Sequence, residues 1–151
     1  MDLILVLDSS YSISVAEGEW GQLISFSRDV LTFLNIGESV RVGIVQFSNI
    51  TRLEIGLTDD ANAAINALDN MVKIDSYTAL GEGLVEAEHA LAVGGRENVT
   101  KFILVIGDGE VFILINDVPY MSKYLLLLYI FCRITWVLIL LKSPIDWRQM
   151  E

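Results

Sequence analysis

The stretch Asp2-Leu3-Ile4-Leu5-Val6-Leu7-Asp8-Ser9-Ser10-Tyr11-Ser12 decides how this chain is read. Leu3 to Leu7 form a short, unbroken apolar run, the pattern of a strand buried on both faces of a parallel sheet. Small polar residues then gather at its C-terminal end. In parallel sheets ligands bind outside the carboxyl ends of the strands, so Asp8, Ser10 and Ser12, spaced Asp-x-Ser-x-Ser, stand where chemistry is expected.

The sequence downstream alternates helix and strand patterns. Ser14 and Glu17 fit a capping box, ahead of Trp20, Leu23, Ile24, Ser27, Val30, Leu31 and Leu34 at helical spacing up to Gly37. Arg41 to Phe47 reads as a strand and Thr51 to Leu57 as a half-buried one. With only Ser48, Asn49 and Ile50 between them, the two form an antiparallel hairpin at a sheet edge. Thr58 is expected to cap a helix that carries Asp59 and Asp60 in its first turn, where they suit the dipole, followed by Ala61, Ile65, Leu68 and Val72. A further helix, Ala79 to Val93, buries Leu80, Leu84, Ala87 and Leu91 and stops at Gly94-Gly95. Phe102 to Ile106 is again an apolar strand, ending in Gly107-Asp108-Gly109. The expected fold is α/β: a doubly wound, mostly parallel, Rossmann-like sheet with one antiparallel edge strand, its pattern breaking off after the fourth strand.

A chain of 151 residues that is 53% hydrophobic can build one domain core, which excludes disordered and collagenous classes. With 10 basic and 20 acidic residues its formal charge is −10, and no Lys/Arg cluster interrupts the acidity. Nucleic acid is therefore excluded as a partner, and cations and basic surfaces are favoured. The single cysteine, Cys132, has no intrachain partner, and zinc-ligand spacing is absent. The first residues lack a basic region and a cleavage site, so no signal peptide is expected.

The charge is unevenly placed. Residues 1–110 hold 6 basic and 17 acidic side chains, whereas residues 111–151 hold 4 and 3, so a boundary is drawn at Glu110 between a domain of 1–110 and an atypical hydrophobic tail of 111–151. Val111 to Ile115 looks like a strand, but Gly109 and Glu110 are too short a link for a parallel crossover. Tyr124 to Leu141 is almost unbroken in its apolarity, flanked by Lys123 and Lys142 and interrupted by Arg133. It can be read as a minimal membrane span, as a buried helix over a sheet face, or as sequence outside the domain's selected pattern. Arg133 is costly in lipid. The coincidence of composition and charge breaks favours the third reading.

Beside Asp8, Ser10 and Ser12, two more oxygen donors fall at the strand ends: Thr78, just ahead of the third helix, and Asp108, at the end of the last strand. Oxygen-only donors suit a hard divalent cation, Mg²⁺ or Mn²⁺. If the hydroxyls bind directly and the two carboxylates act through water, the ion keeps enough positive charge to accept a carboxylate from outside. No catalytic triad is available, since His89 stands alone on a helix surface, and no Gly-x-Gly-x-x-Gly follows the first strand. The competing enzyme reading is a Mg²⁺-dependent phosphohydrolase with Asp8 as nucleophile and Asp108 as metal ligand. Ser10 stands where such enzymes usually have a second Asp, and no well-placed Lys is evident. A non-functional fragment is the other alternative.

Asp2-Leu-Ile-Leu-Val-Leu-Asp-Ser-Ser-Tyr-Ser-Ile13, Val42-Gly-Ile-Val-Gln-Phe-Ser48, Tyr77-Thr-Ala-Leu-Gly-Glu-Gly-Leu84 and Lys101-Phe-Ile-Leu-Val-Ile-Gly-Asp-Gly109 together resemble the von Willebrand factor A domains, in the family's order and over about 110 residues. The resemblance implies a metal-ion-dependent adhesion site, with Ser10, Ser12 and Thr78 as direct or near-direct ligands and Asp8 and Asp108 as outer or alternative ones. It implies a non-catalytic adhesion module whose protein partner, of matrix or collagen-like type, completes the coordination with an acidic side chain. It also implies an extracellular or secreted parent, in which the sequons Asn49-Ile-Thr51 and Asn98-Val-Thr100 would matter. Gly107 and Leu80 stand where many members carry Thr, which thins the hydroxyl surround. The chain also departs from the family pattern after Gly109.

Overall fold

The computed structural model describes residues 1–107, 111–116 and 124–128. Its elements are β1 (Asp2–Asp8), α1 (Glu19–Phe33), β2 (Arg41–Phe47), β3 (Thr51–Thr58), α2 (Ala61–Asp69), α3 (Leu80–Gly94), β4 (Lys101–Ile106), β5 (Val111–Asn116) and β6 (Tyr124–Leu128). They form one sheet in the order β3-β2-β1-β4-β5-β6. β1 is central and pairs in parallel with both β2 and β4, and β3 runs antiparallel along β2 as its short connection requires.

The parallel centre and the β3 edge agree with the expected α/β fold, and two strands extend it. β5 pairs antiparallel with β4, and β6 antiparallel with β5, so the sheet has antiparallel pairing on both flanks. Ile106 and Val111 pair directly, and the four residues between them in sequence can join only antiparallel neighbours. The first five residues of the apolar run beginning at Tyr124 are thus a strand rather than part of a helix, and residues 129–141 of that run lie outside the described residues. Among the described residues no helix is long and apolar enough to cross a membrane.

Every residue of β1 is buried, and the two-residue period of a strand divides its side chains between two cores. Leu3, Leu5 and Leu7 pack with Val42, Ile44, Leu104 and Ile106 against Leu23 and Leu31 of α1 and Ala64 and Leu68 of α2. On the opposite face Ile4 and Val6 join Val45, Phe47, Ile103 and Val105 beneath Ala87, Ala90 and Leu91 of α3. α3 comes close because Gly83 has no side chain: a Cβ there would lie 3.0 Å from the Phe47 ring. That approach sets the N-terminus of α3 over the end of β2.

Two expected helix caps differ in detail. Ser14 Oγ accepts from the Glu17 amide at 3.1 Å, but the Ser14 amide donates to Glu19 Oε2 at 2.7 Å, because a turn over residues 15–18 precedes the helix proper. α2 is capped by Asp60, whose Oδ1 accepts from the Asn62 and Ala63 amides at 2.9 and 3.1 Å. Thr58, the expected cap, sits two residues earlier, where its hydroxyl accepts from the Asp60 amide. The strand runs through Thr58, so the cap moves to the first side chain beyond it that can reach the N2 and N3 amides.

The amino end of the sheet is closed by an ion pair that links chain segments remote in sequence. Asp2 is fully buried, its Oδ1 accepting from Arg96 Nε at 2.9 Å and its Oδ2 from the Arg96 amide at 2.6 Å. The same guanidinium donates to the carbonyls of Met1 and Glu38. Burial alone would raise the Asp2 carboxyl, but hydrogen bonds and charge from Arg96 outweigh it and hold the group below its ordinary value of 3.8. Its contribution to stability is therefore complete above that ordinary value and is lost as pH falls through the lower folded-state value. Arg96→Ala, which strands a buried carboxylate, is expected to cost about 3–5 kcal/mol in urea unfolding at neutral pH. Asp2→Asn should flatten the acid limb of the stability profile below about pH 4. An unchanged acid limb would show that other carboxylates govern it.

Candidate metal centre

Three segments meet at the carboxyl end of β1 and β2: Asp8 with residues 9–14 that follow β1, Ser48 to Ile50 after β2, and the loop of residues 70–79 that leads into α3. Backbone bonds stitch them together. The Asp75 amide donates to the Ser9 carbonyl and the Tyr11 amide to the Ser76 carbonyl, each at 2.9 Å, and Ser10 and Ser76 form an isolated parallel bridge. Ser9 is fully buried and donates through both its amide and its hydroxyl to the Phe47 carbonyl, fixing the exit of β1 to the end of β2.

Asp8 and Ser10 are almost completely shielded, at 6% and 1% exposure. Asp8 Oδ1 accepts from the Ser10 amide at 2.8 Å, a local turn that brings the serine back toward the carboxylate. Ser10 Oγ and Ser12 Oγ lie 3.0 Å apart. Two adjacent ligands on an octahedral ion at 2.0–2.1 Å are separated by about 2.8–3.0 Å, so this hydroxyl pair fits two neighbouring positions around Mg²⁺. Gly107 flanks the group, since a Cβ on it would lie 3.2 Å from Asp8 Cβ and 3.2 Å from Asp8 Oδ2. The Asp8 carboxylate thus occupies the space beside residue 107 that a larger side chain there would contest.

Thr78 is exposed, in a stretch of backbone bracketed by Ser48. Ser48 Oγ donates to the Tyr77 carbonyl at 2.9 Å and accepts from the Ser76 amide at 3.1 Å, while the Ser48 carbonyl accepts from the Ala79 amide at 2.9 Å. Gln46 adds a bond from Nε2 to the Val72 carbonyl at 2.9 Å. The structure thus brings Asp8, Ser10, Ser12 and the Thr78 loop together, and Asp108 lies outside the described residues. Among the described residues no group of three or more His, Cys, Asp or Glu is gathered in one place. His89 is exposed, 3.9 Å from Glu86, and far from this constellation in the chain.

Ser9 and Ser48 are the residues that reading the sequence for chemistry passes over. Ser9 is a spacer in the Asp-x-Ser-x-Ser pattern, and Ser48 looks like an ordinary hairpin residue. The only signal is position, a small hydroxyl immediately after an apolar strand.

The model of the von Willebrand factor type A domain matches residues 2–117. The chain belongs to that family. Among its relatives, the A domain is 32% identical to human collagen alpha-6(VI) chain over 114 residues, which is 72% of this chain and 5% of the relative. It is 32% identical to mouse integrin alpha-11 over 129 residues, covering 82% and 10% respectively. It thus spans a small part of the curated relatives it matches. Among solved structures, proximal thread matrix protein 1 from the mussel byssus, described with a zinc-occupied MIDAS motif, superposes with a TM-score of 0.62 at 27% identity, over 72% of this chain and 28% of that one. BatB from Bacteroides thetaiotaomicron shares the fold with a TM-score of 0.63 at 22% identity, over 72% and 54%.

Removing the Ser48 hydroxyl should loosen the Thr78 loop without touching a donor. Ser48→Ala orphans the Ser76 amide and the Tyr77 carbonyl, and each is expected to cost about 1–3 kcal/mol less whatever water recovers. Faster amide hydrogen exchange at Ser76, with exchange in β1 unchanged, is the expected readout. Loss of protection across the whole sheet would instead make Ser48 a general fold determinant.

Proposed function

We propose that this A domain is a non-catalytic protein-binding module that docks a partner's carboxylate on a divalent cation, Mg²⁺ or Mn²⁺. Ser10, Ser12 and Thr78 would hold the ion directly, with Asp8 and Asp108 acting through water. The observation that carries this reading is the Ser10–Ser12 hydroxyl pair at 3.0 Å beside the shielded Asp8 carboxylate. Neutral donors leave the ion its charge, and that charge draws an outside carboxylate to an otherwise acidic surface. The protein's own part is to fix three loops and to keep Asp8 aimed by its bond to the Ser10 amide.

The relatives support a matrix or collagen-like protein as the partner and an extracellular or cell-surface parent. The binding module corresponds to residues 1–110, and residues 111–151 to an apolar extension whose strands β5 and β6 prolong the sheet.

Thermal unfolding with EDTA against Mg²⁺ or Mn²⁺ tests the metal. At a hundredfold above Kd, binding should add about 2.7 kcal/mol. That shift should vanish in a Ser10→Ala/Ser12→Ala double variant, whose stability without metal should stay close to the parent's. An equal shift in both forms would place the ion elsewhere, and no shift in the parent would overturn the proposal.

A further inference from the structure

We propose that Tyr11 and Tyr77 form a recognition platform for a cationic side chain, arginine above all, carried by the same partner segment that supplies the carboxylate. The inference rests on the metal-centred reading above and names a second requirement of the ligand. Tyr11 lies between Ser10 and Ser12, and Tyr77 immediately precedes Thr78, so each hydroxyl donor is next in sequence to one of these two rings. The rings meet edge to face, with centroids 5.9 Å apart and planes at 84°. They remain 61% and 77% exposed, so the contact buries little of either.

Their placement is nevertheless fixed by the fold. The Tyr11 amide donates to the Ser76 carbonyl, and the Tyr77 carbonyl accepts from the buried Ser48 hydroxyl. A pair of large amphipathic rings held on a pinned backbone and left open to solvent is characteristic of a contact surface rather than of a core. In the edge-to-face arrangement the positive edge of one ring satisfies the face of the other, and the faces of the edge-on ring stay open. Those faces attract cations.

The surrounding charge selects the same occupant. Glu17 and Glu19 follow β1, Asp75 lies in the loop of residues 70–79, and Glu82 opens α3. Across these segments the one cation is Lys73, and it is ion-paired with Asp75. A partner that brought a carboxylate alone would have only the ion to draw it past these acidic residues, whereas a neighbouring guanidinium is itself attracted to them and can stack on a tyrosine face. Exposed cation–π contacts are worth about two- to fivefold in affinity.

The test uses the full chain with Mn²⁺ and three blocked hexapeptides, each with one Glu and, two residues away, Arg, its neutral isostere citrulline, or Leu. The Arg peptide is expected to bind two- to fivefold tighter than the other two. Tyr11→Ala and Tyr77→Ala should bring that ratio to one with Mn²⁺ affinity unchanged, while Tyr77→Phe, which keeps the ring face, should preserve it. Equal binding of the three peptides with Mn²⁺ and Glu dependence intact overturns the platform alone, as does a ratio insensitive to both alanine variants. A Leu peptide that binds as well as the Arg peptide makes the surface apolar rather than cation-selective. Failure of the chain to bind Mn²⁺, read from the electron paramagnetic resonance of the free ion, overturns the metal reading and this inference with it.

Discussion

The burial of β1 on both faces is the constraint on which the remaining structure depends. Its alternating side chains enter two separate cores, and each apolar residue so buried contributes about 1.5–3 kcal/mol relative to exposure. α1 and α2 are bound to one face and α3 to the other through the same strand. A one-residue slip would exchange the two sets and point the leucines at the wrong helices. The strand can end in an exposed chemical site because the burial of Leu3 to Leu7 holds it there.

The two ends of the sheet use polar groups in different ways. At the amino end Arg96 neutralises the buried Asp2 carboxylate within the molecule and ties together segments remote in the chain. At the carboxyl end the Asp8 carboxylate is shielded and aimed by the Ser10 amide, beside hydroxyls that carry no charge of their own. The first arrangement is closed and structural. The second would suit a cation on the proposed reading, because neutral oxygens would coordinate it without cancelling its charge.

Ser48 connects these ideas. It is fully buried, yet its hydroxyl bonds the Ser76 amide and the Tyr77 carbonyl ahead of Thr78, and its carbonyl accepts from the Ala79 amide beyond it. Through it the end of β2 positions Thr78, which lies 30 residues away in sequence from Ser48. Gly83 acts from below by letting α3 settle on Phe47. The tyrosines at residues 11 and 77 inherit their places from the same backbone bonds that fix the segments around Ser10 and Thr78.

Much of this was legible in the sequence, for reasons that are local. The apolar runs Leu3 to Leu7 and Phe102 to Ile106, the helical spacing of Leu80, Leu84, Ala87 and Leu91, and the short Ser48–Ile50 link specify strands, a helix and a hairpin from nearest neighbours alone. The Asp-x-Ser-x-Ser spacing likewise carries its own chemistry, because a turn of five residues can bring its oxygens together. The tertiary structure decided what depends on partners distant in the chain: the pairing of Asp2 with Arg96, the hold of Ser48 on the Thr78 loop, the edge-to-face tyrosines, and the antiparallel extension by β5 and β6. A sequence pattern records what a residue needs from its neighbours along the chain, whereas these contacts arise only once the sheet has set which strand ends lie side by side.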